Sequence, residues 1–176
     1  MVDDGYENIP VQIPKGELLG CGISAIVELL PNGNVVKSPW NGEEAEECRQ
    51  DLSREAAIYA KIYKAFGEHD RFVRFIAFNE ESSEVILQYM PNGTLRDYLH
   101  SHGDCISHPQ RLRWVSAAAE ALEALHSIEV IHCDFSPKNL LLDADLTLKV
   151  ADFGCSAIVG QPSSGMGSCR FYPPLD

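Results

Sequence analysis

Asp134, Asn139 and Asp152 are three oxygen-bearing side chains in a short stretch of chain that also holds His132. Asp134 and Asn139 flank a five-residue step containing Pro137, and a short hairpin separates Asn139 from Asp152. That spacing brings all three to one edge of a two-stranded unit. Hard oxygen ligands suit magnesium, and the carboxylate left over can accept a proton from a hydroxyl. The competing reading is three turn-capping polar residues, because Asp and Asn favour turns in any case.

Two further features carry chemistry. In GCGISAIV, Gly20 and Gly22 end a strand and Val27 follows on the next, so backbone amides can approach an anion with no Cβ in the way. A tight turn explains the same two glycines equally well, and no helix opens after them, which disfavours a dinucleotide fold. Lys37 lies in an apolar strand, where a solvated lysine is the ordinary explanation. A carboxylate on the next element, Glu55, offers another: a lysine held by a buried-side acid is an oriented cation suited to polyphosphate oxygens.

These residues need elements to position them. Residues 17–39 read as two strands around a turn at Asn32-Gly33, a strong hairpin signal, with Pro39 ending the second. From Gly42 to Phe66 the residues Ala45, Cys48, Leu52, Ala56, Tyr59, Ile62 or Tyr63, and Phe66 recur at helical spacing. Glu55 falls three after Leu52 and four before Tyr59, on the apolar face; it either snorkels at the margin or meets a buried cation. Residues 71–90 give two strand-like runs around a polar turn. Pro91-Asn92-Gly93 breaks the chain, and short and long helices follow at 94–100 and 109–127. In the longer one Leu112, Val115, Ala119, Leu122 and Leu125 form the expected core stripe. A polar loop, a short apolar run, a turn at 143–145 and a strand over 146–150 complete the pattern, and residues 155–176 have no period.

Composition bounds what the chain can do. It has 176 residues, 14 basic against 26 acidic, a net charge of −12, and 45% hydrophobic residues. Such a charge repels phosphate backbones and anionic lipid, so neither nucleic acid nor membrane is an expected partner. The apolar fraction is that of an ordinary globular domain. No run approaches the ~20 apolar residues of a membrane span, and the N-terminus carries no leader pattern, so a soluble cytoplasmic protein is expected. Six dispersed cysteines without a CxxC pair read as free thiols. His100, His102, Cys105 and His108 are ligand types for zinc, but their spacing is not that of a paired finger, and the segment reads as a polar surface loop.

Taken in order, these motifs resemble a eukaryotic-type protein kinase. The family pattern GxGxxGxV is similar to residues 20–27, with Ala25 in place of the third glycine. Lys37 matches the VAIK lysine, Glu55 the αC glutamate, HCDFSPKN at 132–139 the HRDxxxxN loop, and 152–154 the DFG triplet. The resemblance implies an α+β fold: an N-terminal arm over 1–14, an antiparallel-sheet N-lobe with an αC helix over 15–90, and an incomplete, mainly helical C-lobe over 91–176. It implies ATP with Mg as the nucleotide and metal, and a protein Ser/Thr hydroxyl as acceptor. Leu19 and Val27 would roof the adenine, Val35 and Leu141 line its pocket, Leu87 stand behind it, and the backbone of Gln88 to Met90 bond it. Gly20 and Gly22 would cover the phosphates while Lys37, held by Glu55, grips them. Asn139 and Asp152 would bind magnesium, and Asp134 would take the proton.

The sequence departs from that family in three places. Cys133 replaces the HRD arginine, giving a non-RD loop without the cation that pairs with a phosphorylated activation segment. Ser136 stands where Ser/Thr kinases carry a lysine that steadies the phosphoryl group, with Lys138 two residues on. GSCRFYPP at 167–174 resembles the approach to the APE motif, but Leu175 replaces its glutamate and the chain stops at Asp176. Apolar residues of the 109–127 helix would then lack cover and favour association. The alternative to a kinase is a catalytically weak nucleotide-binding or interaction module. A small-molecule phosphotransferase shares the HxDxxxxN loop, but DFG and residues 167–174 disfavour it. Ser163, Ser164 and Ser168 are candidate modification sites in the final segment.

Overall fold

The computed structural model describes residues 13–160 of the chain. Most of the N-terminal arm, residues 167–174, Cys169 and the three late serines lie outside the described residues. The expected α+β arrangement is present: a five-stranded antiparallel sheet with one long helix, followed by two further α-helices with a 3-10 turn between them and two small two-stranded sheets.

The first surprise is local. The stretch read as one strand before Asn32-Gly33 is two, β1 (Glu17–Cys21) and β2 (Ala25–Leu29), paired with each other and split by the glycine turn. There the Gly22 N–H donates to Ala25 O at 2.8 Å. β3 (Asn34–Pro39) then pairs with β2 through the expected turn. Gly33 sits at φ 82°, a conformation glycine adopts at little cost, and Asn32 Oδ1 accepts from the Asn34 N–H.

Helix α1 (Ala45–Phe66) packs its apolar stripe against β3, β4 (Phe75–Asn79) and β5 (Glu84–Gln88). Ala45, Cys48, Leu52, Ala56, Tyr59 and Ile62 are buried as expected, Ile58 joins them, and Tyr63 and Phe66 face out. Glu46 and Glu47 in the first turn and Lys64 in the last complement the helix dipole, and Gly67 ends the helix by donating to Tyr63 O. The sheet runs β1-β2-β3-β5-β4. Alternation along β3 sends Val36 and Ser38 to one face, and Val35 and Lys37 to the other, where a cavity opens.

Below the sheet, Thr94 caps α2 (Leu95–His102): its hydroxyl accepts from the Asp97 N–H at 3.1 Å and donates to Asp97 Oδ2 at 2.6 Å. Ser107 and Pro109 start α3 (His108–Ser127). On α3 the structure corrects the sequence reading. Leu112 and Val115 are exposed at 55% and 66%, Ala119 is exposed and Leu122 half-buried, and of the expected stripe only Leu125 is buried. The buried face is Trp114, Ala117, Ala121 and Leu125. An alanine-rich helix offers two helical stripes, and the largest apolar side chain decides between them: Trp114 buries its indole and donates to Leu146 O at 2.8 Å. Leu112 and Val115 are therefore the candidates for the expected exposed patch on this lobe.

The strands β6 (Val130–Ile131), β7 (Leu140–Leu142), β8 (Leu148–Val150) and β9 (Ala157–Ile158) pair as β6 with β9 and β7 with β8. The pairing of β9 was hidden in a segment without sequence period. Val150 joins the lobes, accepting from the Val73 N–H at 3.0 Å and donating to Arg71 O at 2.8 Å. Among the described residues no helix is long and apolar enough to cross a membrane.

Candidate active site

One cavity of about 750 Å³ lies between the sheet and the β6–β8 region. Every residue to which the sequence reading gave a nucleotide-binding, metal-binding or catalytic role lines it. Leu19, Gly20, Gly22 and Val27 come from the β1–β2 turn, and Val35, Lys37, Leu87, Gln88 and Met90 from the strands and the chain after β5. Glu55 comes from α1, and Asp134, Asn139, Leu141 and Asp152 from below.

Lys37 is the meeting point of two acids. Its Nζ lies 2.5 Å from Glu55 Oε2 and 2.8 Å from Asp152 Oδ1. Glu55 is wholly buried, so the snorkelling alternative fails and the charge-paired one holds. Burial works to strip the charge from Lys37, but Asp152 and Glu55 outweigh it and hold the ammonium above the ordinary lysine range. Burial pushes Glu55 above the ordinary carboxylate range, with Lys37 opposing it. Asp152 moves the other way: the charge of Lys37 holds it below its ordinary value, against burial.

The loop between β6 and β7 is built from the inside outward. His132 is buried, bonded to Ala151 O at 3.0 Å through Nε2, and its carbonyl accepts from Ser156 Oγ at 3.0 Å. Burial lowers its pKa, so it is a neutral structural imidazole. Phe153, fully buried, lies edge-on to Tyr59 of α1 at 4.9 Å and beside His132 at 5.2 Å, tying the DFG backbone to both lobes.

Asp134 is 7% exposed and its two oxygens differ. Oδ2 accepts from Asn139 Nδ2 at 2.9 Å and from Lys138 Nζ at 2.8 Å. Oδ1 is buried without a hydrogen-bond partner. A carboxylate with one oxygen still without a partner keeps acceptor capacity, so Asp134 can take a hydrogen bond from an incoming hydroxyl. Asn139 spends its amide N–H groups on Asp134, and its Oδ1 accepts no hydrogen bond among the described residues. That oxygen and the half-exposed Asp152 carboxylate fit a magnesium ion, which takes few protein ligands and fills the rest with water and phosphate. Among the described residues no group of three or more His, Cys, Asp or Glu side chains converges as a metal cage, and this includes the segment of His100, His102, Cys105 and His108.

The sequence reading missed Asp51, one helical turn before Glu55 and on the same face. Its carboxylate accepts from Ser24 in the glycine turn and from Arg54 Nη1 at 2.7 Å, and Arg54 also donates to Gly154 O at 2.5 Å. The i, i+4 relation to Glu55 was the available signal. Val73, Ala151 and Cys155 also line the cavity, and nothing in their residue types marked them.

The sequence pattern described as "Protein tyrosine and serine/threonine kinase" matches residues 33–170. Three curated relatives from Arabidopsis thaliana are similar. A probable leucine-rich repeat receptor-like protein kinase is 30% identical over 76% of this chain and 14% of its own length. Receptor-like protein kinase 5 is 34% identical over 93% of this chain and 17% of its own. Receptor-like protein kinase HSL1 is 29% identical over 92% and 19%. The chain thus spans less than a fifth of the length of each of these three relatives. With the family pattern covering most of the chain and the cavity assembled from its motifs, this chain belongs to the protein tyrosine and serine/threonine kinase family.

Proposed function

We propose that this domain transfers the terminal phosphoryl group of Mg-ATP to a Ser or Thr hydroxyl of a protein. The Asp134 carboxylate, which lines the same cavity as the Lys37–Glu55–Asp152 cluster, carries the reading. Leu19, Val27, Val35, Leu87 and Leu141 supply apolar walls for a purine, and the backbone of Gln88 to Met90 its polar edge. Lys37, unable to swing away from its two acids, presents a fixed charge to phosphate oxygens. Asp134 orients the acceptor hydroxyl and receives its proton. Magnesium, held by Asn139 and Asp152 when bound, neutralises phosphate charge. A cytoplasmic setting accompanies the reading, and the five cysteines among the described residues are free thiols in keeping with a reducing compartment.

The test is transfer of labelled γ-phosphate to a Ser/Thr peptide library, with Asp134→Asn as control. Transfer lost in that variant, with nucleotide still bound, supports the reading. Nucleotide binding without transfer by the unaltered chain refutes it and leaves the non-catalytic nucleotide-binding module.

A further inference from the structure

Five acids line the cavity, and the reading above employs Glu55, Asp134 and Asp152. Asp97 is spent on the start of α2, where its carboxylate and N–H both engage Thr94. Asp51 is left. It stands on α1 one helical turn before Glu55, its side chain 18% exposed. Its Oδ2 accepts from the Ser24 hydroxyl in the glycine turn, and its Oδ1 from Arg54 Nη1 at 2.7 Å. Arg54 Nη1 also donates to Gly154 O at 2.5 Å, and a Cβ on Gly154 would stand only 3.6 Å from the Asp51 Cβ. One carboxylate therefore joins two segments that lie far apart in the sequence, and Arg54 offsets the charge it brings to the cavity.

The glycine turn needs such a tie. Gly20 and Gly22 make its backbone cheap to move, and the bond from the Gly22 N–H to Ala25 O is internal to it. Two side-chain bonds fasten it to the rest of the chain. The Trp40 indole donates to Gly22 O at 3.0 Å, from the end of β3 in the same sheet. Ser24 to Asp51 reaches instead to α1. With that bond made the cavity still holds about 750 Å³, the size of an ordinary ligand pocket, so the bond does not shut it. A turn fixed over an open cavity is preorganised. Once released it spends part of its time displaced, and the apparent affinity for a ligand beneath it falls by that fraction.

Resting on the nucleotide site of the reading above, we propose that Asp51 is a positioning residue for the phosphates. Through Ser24 it ties the glycine turn to α1, and through Arg54 it ties both to Gly154, two residues beyond Asp152. The two sides of the phosphate end are then held in register by the helix that also carries Glu55.

The experiment measures binding of a magnesium-bound, non-transferable ATP analogue and of adenosine to the unaltered chain, Ser24→Ala, Asp51→Ala, Asp51→Asn and the double variant Ser24→Ala/Asp51→Ala. Ser24→Ala and Asp51→Ala are each expected to weaken the triphosphate about tenfold, the worth of one charge-assisted hydrogen bond, and to leave adenosine within about twofold. The double variant is expected to bind like Asp51→Ala alone, because one bond can be lost only once, whereas independent sites would multiply to about a hundredfold. Asp51→Asn, whose side-chain carbonyl still accepts from Ser24, should recover most of the loss. Equal weakening of both ligands, a multiplied loss in the double variant, or tighter triphosphate binding by Ser24→Ala overturns the proposal, while transfer by the unaltered chain keeps the phosphotransfer reading. Triphosphate binding without transfer by the unaltered chain removes that reading, and the cycle still decides the role of Asp51. An unaltered chain that binds neither ligand overturns both.

Discussion

Replacing Lys37 by Met removes the only cation among the described residues that pairs with Glu55 and leaves a fully buried carboxylate without that partner. Glu55 Oε1 has no hydrogen-bond partner even now, and once Lys37 is gone the Phe153 backbone is left to favour the charge against burial. With Lys37 gone, burial and the nearby Asp152 both favour the neutral acid. The cost of the neutral form at pH 7 follows from linkage. A glutamate that ionises near its ordinary value of 4.5 when unfolded must be held protonated two and a half pKa units above it, about 3.4 kcal/mol. At pH 5 the same cost is about 0.7 kcal/mol. The sign is that of an acid whose folded pKa is raised: stability is fullest below 4.5 and falls as pH rises, because the folded state then binds more protons than the unfolded. The melting temperature of Lys37→Met, taken relative to the unaltered chain, should therefore drop by about 10 °C at pH 7 and only a few degrees at pH 5. Lys37→Met/Glu55→Leu, which removes both charges, should regain most of the loss while binding no nucleotide. A drop of equal size at both pH values, or none at pH 7, refutes the reasoning, because Glu55 would then not be paying for an absent partner.

Other outcomes test the packing and the cavity walls. Trp114→Ala should cost about 3–5 kcal/mol in urea unfolding, whereas Leu112→Ala and Val115→Ala should stay within about 0.5 kcal/mol; the reverse order would restore the stripe read from the sequence. The indole of Trp40 donates to Gly22 O at 3.0 Å, so its fluorescence should report on the glycine turn. Adding Mg-ATP should change the emission, and Trp40→Phe should abolish the change while the buried Trp114 stays silent. Burial pushes the Cys155 thiol up to about 11, so iodoacetamide at pH 8 should label the exposed Cys21 well before Cys155, as peptide mapping would show.

Much of the site was legible because its chemistry demands particular residue types at fixed steps. Lys37, Glu55 and the Asp134 to Asp152 stretch could be read from their chemistry, and the alternation of β3 and the period of α1 put the first two on facing surfaces. What stayed hidden depended on competition between equally good local patterns. The α3 register turned on which of two apolar stripes met β8, a tertiary choice that residue spacing does not encode. The split of the first hairpin into β1 and β2 turned on backbone hydrogen bonds around Gly22, and the β6–β9 pairing on contacts between residues nearly thirty apart. Asp51 was passed over because an acid on a solvated helix face is the common case. Only the fold shows the glycine turn and Gly154 closing over it.

Cys133 joins strain to function in one residue. It holds φ 60°, the left-handed region that side chains other than glycine seldom occupy. Residues two apart on an extended chain point the same way, yet His132 must enter the core beneath Phe153 while Asp134 must face the cavity. The left-handed turn at Cys133 separates the two, with the Asp134 N–H donating to His132 O at 2.8 Å. A β-branched residue fits that conformation worst, so Cys133→Val should lower stability by about 1–3 kcal/mol and reduce phosphoryl transfer, because relief of the strain rotates Asp134 away from the cavity. Cys133→Gly removes the Cβ penalty and adds backbone entropy to the unfolded chain, two effects of similar size and opposite sign, so it should melt within about 1 kcal/mol of the unaltered chain and retain transfer. A Cys133→Val variant as stable and active as Cys133→Gly would mean that the left-handed turn neither costs stability nor aims the carboxylate, and that Asp134 is aimed by Asn139 and Lys138 alone.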